Sequence, residues 1–90
     1  MIAELDLTAD ELAVLSLDQL ARLVRRHWPK PYFGAVPYLE AMETLESIEQ
    51  DYGCDSGKSV VLYFLSNAQT WRGPAAKAVK AELKRRAGVK

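Results

Sequence analysis

The chain has 90 residues, 49% of them hydrophobic and 27% charged, with twelve acids balancing twelve bases. That length holds one core and no second domain, so residues 1–90 are expected to form a single unit. The composition excludes a disordered chain. The longest unbroken apolar run, Val60–Leu65, is six residues, whereas a membrane-spanning helix needs about 20.

The zero net charge hides a segregation along the chain. Residues 1–21 carry five acids and no base, and residues 22–30 carry Arg22, Arg25, Arg26 and Lys30. Residues 31–57 carry six acids and no base, and residues 58–90 carry eight bases against Glu82. Two consequences are open: complementary charges between packed helices with solvated outer faces, or a basic face that attracts an anionic partner. The first residues carry acids where a secretory leader needs bases, and the single cysteine, Cys54, has no internal partner for a disulfide. A cytoplasmic protein without a membrane span is the expectation.

In chain order, Thr8 followed three residues later by Glu11 has the form of a capping box and predicts a short helix over 9–15. Ser16 with Gln19 forms a second box, so a fresh helix is expected over 17–28, with Leu17, Leu20, Leu23, Val24, His27 and Trp28 along one face. Pro29 and Pro31 stop it. Residues 29–36 read as an aromatic, turn-forming connector. Pro37 suits the first turn of a third helix over 37–52, whose stripe is Tyr38, Ala41, Met42, Leu45, Ile48 and Tyr52, with Gly53 as its cap.

The run Val60–Leu65 has the composition of a buried strand. On a helix, however, Val60, Val61, Phe64, Leu65, Ala68 and Trp71 cluster on one side, and a lone strand would have no partner in this chain. A helix over 58–71 is therefore expected. Pro74 opens a last helix over 74–87 that buries Ala75, Ala76, Val79, Leu83 and Ala87 and ends at Gly88. The expected fold class is all-α, a small bundle of four to five short helices.

Gly57-Lys58-Ser59 resembles the end of a phosphate-binding loop, but that motif needs a glycine at position 52, where Tyr stands, and a preceding strand. Asp55 or Ser56 as a helix cap explains the segment better. His27 and Cys54 stand on separate segments and do not make a zinc site. As a nucleophile–base pair they are formally possible only. Glu40, Glu43, Glu46 and Glu49, spaced by three, drift around a helix and read as a solvated face. No catalytic, cofactor-binding or metal-ligating residue is assigned, and no enzymatic activity or cofactor is expected.

Two surfaces remain. Trp71 and Arg72, with Tyr32 and Phe33 of the connector, are the residue types that anchor protein interfaces, and they are the candidate partner-binding set. Arg72, Lys77, Lys80, Lys84 and Arg85 are the alternative, a phosphate-contacting set on a helix-turn-helix outline. That last helix lacks the Asn, Gln, Ser and Thr side chains that supplement arginine in base reading. Bases near its C-terminus, Arg85 and Arg86, also complement the helix dipole.

The stretch Tyr63–Leu83, YFLSNAQTWRGPAAKAVKAEL, resembles the C-terminal part of small uncharacterised proteins of actinobacteria and their bacteriophages. It covers about a quarter of the chain and transfers no functional residue. What the resemblance implies is a small accessory protein that acts by binding. The expected function is thus a non-enzymatic helical interaction module with another protein as partner and nucleic acid as the alternative. It would be a monomer, or a homodimer in which the acidic N-terminal block meets the basic C-terminal block of its mate.

Overall fold

A computed structural model describes residues 8–52 and 55–88. Five α-helices follow one another: α1 (Ala9–Ala13), α2 (Leu17–His27), α3 (Val36–Met42), α4 (Gly57–Ser66) and α5 (Pro74–Ala87). A 3-10 turn, Phe33–Ala35, leads into α3. A two-residue antiparallel ladder, β1 (Asp51–Tyr52) with β2 (Asp55–Ser56), pairs Asp51 with Ser56 and Tyr52 with Asp55. The fold is all-α, as the periodicities imply. No helix among the described residues is long and apolar enough to cross a membrane.

Both expected caps at the N-terminal end form. The Glu11 amide donates to Thr8 Oγ1, and Glu11 Oε1 accepts from the Thr8 amide, each at 3.1 Å. At the second, Gln19 Oε1 accepts from the Ser16 amide at 2.8 Å, while the Ser16 hydroxyl turns to Asp18. α1 closes at Ala13, earlier than expected, because the chain must turn at Val14 and Leu15 to enter α2. α2 then buries Leu17, Leu20, Ala21 and Val24, and Trp28 follows it into the core.

The third helix departs most from expectation: α3 ends at Met42 and not at residue 52. Side chains compete there for the bonds that a longer helix needs. The Thr44 hydroxyl donates to the Ala41 carbonyl at 2.7 Å, and Gln50 Oε1 accepts from the amides of Glu46 and Ser47. The Glu46 carbonyl accepts from the Leu17 amide at 2.8 Å, fixing this turn to the start of α2. The expected stripe survives in part past the end of the helix, since Ala41, Met42 and Leu45 are buried and Tyr38 and Ile48 half-buried, while Leu39, outside that stripe, is buried as well. Gly53, the expected cap, lies outside the described residues.

Residues 57–66 do wind into a helix, capped by Ser56, whose Oγ accepts from the Ser59 amide at 3.1 Å. Gly57 is no phosphate-loop residue. It is buried inside the first turn of α4, and a Cβ there would come within 2.8 Å of the Ile48 backbone, so the close crossing of the turn over α4 requires glycine. α4 ends at Ser66, five residues before the expected limit. The Ser66 hydroxyl and the Asn67 amide group donate to the carbonyls of Leu62 and Tyr63, which turns residues 67–73 away from the helix axis.

α5 runs over the expected residues and closes on Gly88 in the left-handed conformation. It packs against α1, α2 and α4, while α4 also packs on α3. One core joins them, with Leu12, Leu17, Leu20, Val24, Leu39, Met42, Val60, Val61, Phe64, Val79 and Leu83 fully buried. Trp28 stands edge-on to Phe64 at 6.4 Å and stacks on Trp71 at 5.6 Å with 9° between the planes.

Candidate functional site

α5 carries two sets of charges with different surroundings. On its inner side Glu82, the single acid of residues 58–90, is only 4% exposed. It accepts from Arg85 Nε at 3.0 Å and from Arg86 Nε at 2.6 Å. The Arg86 guanidinium reaches on to the carbonyls of Leu12 (2.9 Å), Ala13 (3.3 Å) and Leu15 (2.7 Å), tying the end of α1 to the end of α5. The Arg85 side chain beside it holds the Glu82 carboxyl below the usual carboxylate range, reinforced by Arg86 and opposed by burial. Arg85 is thereby occupied and does not join the basic set as expected.

On the outer side Lys77, Lys80, Ala81 and Lys84 share one helical face, because positions three, four and seven apart align. The turn that carries Trp71, Arg72 and Gly73 forms the facing wall. Together with Pro74 and Ala76 these residues line an open groove of about 850 Å³. Its lining is apolar at Trp71, Gly73, Pro74, Ala76 and Ala81, of which Pro74 and Ala81 are exposed and Trp71 and Ala76 almost wholly buried, and cationic at Arg72, Lys77, Lys80 and Lys84. No carboxylate lines it, and among the described residues no ion pair joins these four cations to an acid.

Lys80 is the most constrained of the four. Its Nζ donates to the Ala68 carbonyl at 2.7 Å and lies 6.0 Å from the Trp71 ring centroid. Burial lowers its pKa, and the neighbouring charges of Lys84 and Arg72 lower it further. The groove therefore holds like charges that repel one another and that an anion would relieve.

Trp71 is not an exposed anchor. It is 3% exposed, stacked on Trp28, and its Nε1 donates to the His27 carbonyl at 3.3 Å. Tyr32 (44% exposed) and Phe33 (79% exposed) are surface residues, their rings 4.7 Å apart. Tyr32 lines a smaller hollow with Ser66, Asn67, Gln69 and Thr70, separate from the groove that Arg72 borders. The candidate partner-binding set is thus split into one buried residue, one groove residue and one exposed aromatic pair.

Of the four glutamates read as one helical face, only Glu40 lies in α3; Glu43 caps it and pairs with Arg25 of α2 through Nε at 3.0 Å. Among the described residues no three His, Cys, Asp or Glu side chains converge on a metal-sized space. Cys54 lies outside the described residues. The apolar part of the groove lining went unrecognised in the sequence, although Ala81, between Lys80 and Lys84, was its visible signal. Comparison with family models, with curated proteins and with solved structures returned no match for this chain.

Proposed function

We propose that this protein works by binding and not by catalysis, as a small interaction module whose contact surface is the groove along α5 and whose partner is an acidic protein surface. The observation that carries the reading is the ring of four cations, Arg72, Lys77, Lys80 and Lys84, around one concavity without a carboxylate among its lining residues. Elsewhere in the described structure several charges are answered: Arg25 by Glu43, Arg22 by Asp18, Arg85 and Arg86 by Glu82. Unanswered charge of one sign in a concave site raises the local concentration of a counter-charged ligand. All the lining residues except Lys84 fall within Tyr63–Leu83, the stretch whose resemblance implies a protein that acts by binding.

Retention on a heparin resin tests the anionic preference directly. The wild type should bind at low salt, and the double charge reversal Lys77→Glu, Lys84→Glu should pass through unretained while keeping its helical circular dichroism. A wild type that flows through at low salt removes the reading.

Nucleic acid is the second reading, favoured by the row Lys77, Lys80, Lys84, whose charges recur every ~5 Å at a helical rise of about 1.5 Å per residue. With Arg85 held by Glu82, four phosphate contacts remain, and duplex binding would show a log–log salt slope near about −3.6. A gel shift that shows no retardation at low salt ends this second reading.

A further inference from the structure

Resting on the reading just given, we propose that the occupant of the groove is an acidic amphipathic α-helix of the partner protein, lying along α5. Three features of the site point to a helix and away from other anionic chains.

The first is the mixture of cationic and apolar lining in one groove. A phosphate backbone has no use for exposed apolar positions such as Pro74 and Ala81 beside the cations. Trp71, which would be the stacking platform for a base, already has its ring face against Trp28 at 5.6 Å and is 3% exposed. An acidic segment with an apolar stripe answers both parts of the groove at once.

The second is what the groove walls can offer a bound backbone. α5 spends its amides and carbonyls on its own ladder, so it presents no strand edge to an extended peptide. An extended segment would bury amides and carbonyls without partners, whereas a helix brings its own hydrogen bonds satisfied.

The third is length and closeness. The groove follows α5 from Pro74 to Lys84, about 15 Å at the helical rise and hence three turns of a bound helix. Gly73 and Ala81 are small and exposed, and small side chains at a crossing allow the axes to approach toward the lower end of the usual ~8–10 Å. Lys77 and Lys84, two turns apart in line on this face, would extend their long stems along the bound helix and set their ammonium groups against its acidic side.

The test uses the full chain and two labelled peptides of about 16 residues, long enough for marginal helicity. Both have the same Leu, Glu and Ala composition. One places Leu at helical spacing, and the other alternates Leu and Glu so that no helical stripe exists. Anisotropy should show the helical peptide binding about tenfold or more tighter, with a gain of helical circular dichroism in the mixture. Ala81→Gln, a neutral change at an exposed position of the apolar lining, should weaken that peptide about tenfold and leave the alternating one unaffected.

Equal binding of the two peptides would overturn the helix and leave the anionic reading standing. A single-stranded oligonucleotide that outcompetes both would overturn it in favour of nucleic acid. Salt-sensitive self-association that the peptides do not disturb would overturn it in favour of a second copy of this chain. No binding of either peptide or the oligonucleotide would overturn both the helix and the reading beneath it.

Discussion

The two flanks of α5 carry the same kinds of residue and put them to different uses. On one, Arg85 and Arg86 share the buried Glu82 carboxylate, and Arg86 also closes three carbonyls at the end of α1. On the other, Arg72, Lys77, Lys80 and Lys84 border a groove with no acid among its lining residues. The difference teaches that a cation's role is set by what lies opposite it, and that composition alone, eight bases against one acid in residues 58–90, cannot separate structural charge from available charge.

Breaking the acid-paired flank should have the largest effect. Arg86→Met leaves Glu82, at 4% exposure, with Arg85 alone and opens α1 carbonyls; since Arg85 still compensates the carboxylate, the lower end of the cost of breaking a buried pair applies, about 3 kcal/mol. For a domain of this size that lowers the melting temperature by at least ~10 °C, read by circular dichroism, while heparin retention of the folded fraction stays unchanged. An equally large loss of retention would mean that the two flanks are one site.

Trp71→Leu follows in size. It removes the stack on Trp28 and the bond to the His27 carbonyl, a loss of about 2–3 kcal/mol seen as a lower denaturant midpoint. A variant as stable as wild type would return Trp71 to the role of surface anchor.

Of the two flanks of α5, acid should act on the acid-paired one. The Glu82 pKa is lowered in the folded state from its ordinary value of 4.5. Its stabilisation is therefore fully present above that value and is lost as pH falls from there through the lowered one. Glu82→Gln should flatten this part of the stability–pH curve, and a curve of unchanged slope would deny Glu82 the role. Anion binding responds at the opposite end of the scale. Because burial and its cationic neighbours lower the pKa of Lys80, the groove loses charge, and affinity for heparin falls, as pH rises toward Lys80's lowered range.

The smallest effect has the sign that separates the flanks most clearly. Lys84→Gln removes a charge that repels Lys80 and breaks no bond, so stability should hold or rise by a few tenths of a kcal/mol, while heparin elution moves to lower salt. Sites kept for binding at some expense of stability behave in this way.

Much of the fold was legible in the sequence because its signals are local. Thr8 with Glu11, Ser16 with Gln19, Pro29, Pro74 and Gly88 mark ends that the structure keeps to within a residue or two. The helical identity of 57–66 followed from backbone bookkeeping, there being no strand for it to pair with. What misled was periodicity extended past its local support. The stripe Ala41, Met42, Leu45 is buried as expected, but Thr44 and Gln50 capture the backbone groups that would have prolonged α3.

The site was half legible. Lys77, Lys80 and Lys84 stand on one face by spacing alone, and the structure brings Arg72 to them. Arg85 was misassigned, although Glu82, three and four residues before Arg85 and Arg86, was the signal for an internal pair. The apolar side of the expected 58–71 helix already included Trp71, in tension with a role as partner-binding anchor; what the chain did not show is its stacking partner, Trp28, 43 positions away, because only tertiary packing joins them.

The central claim, that the groove face of α5 is the surface this protein presents to an anion, is met most directly by a heteronuclear NMR titration of the labelled chain with poly-glutamate. The account predicts amide shifts confined to Trp71–Lys84, with Tyr32, Phe33 and Arg86 unmoved. Shifts centred on Tyr32 and Phe33, or on none of the groove residues at saturating poly-glutamate, would contradict it.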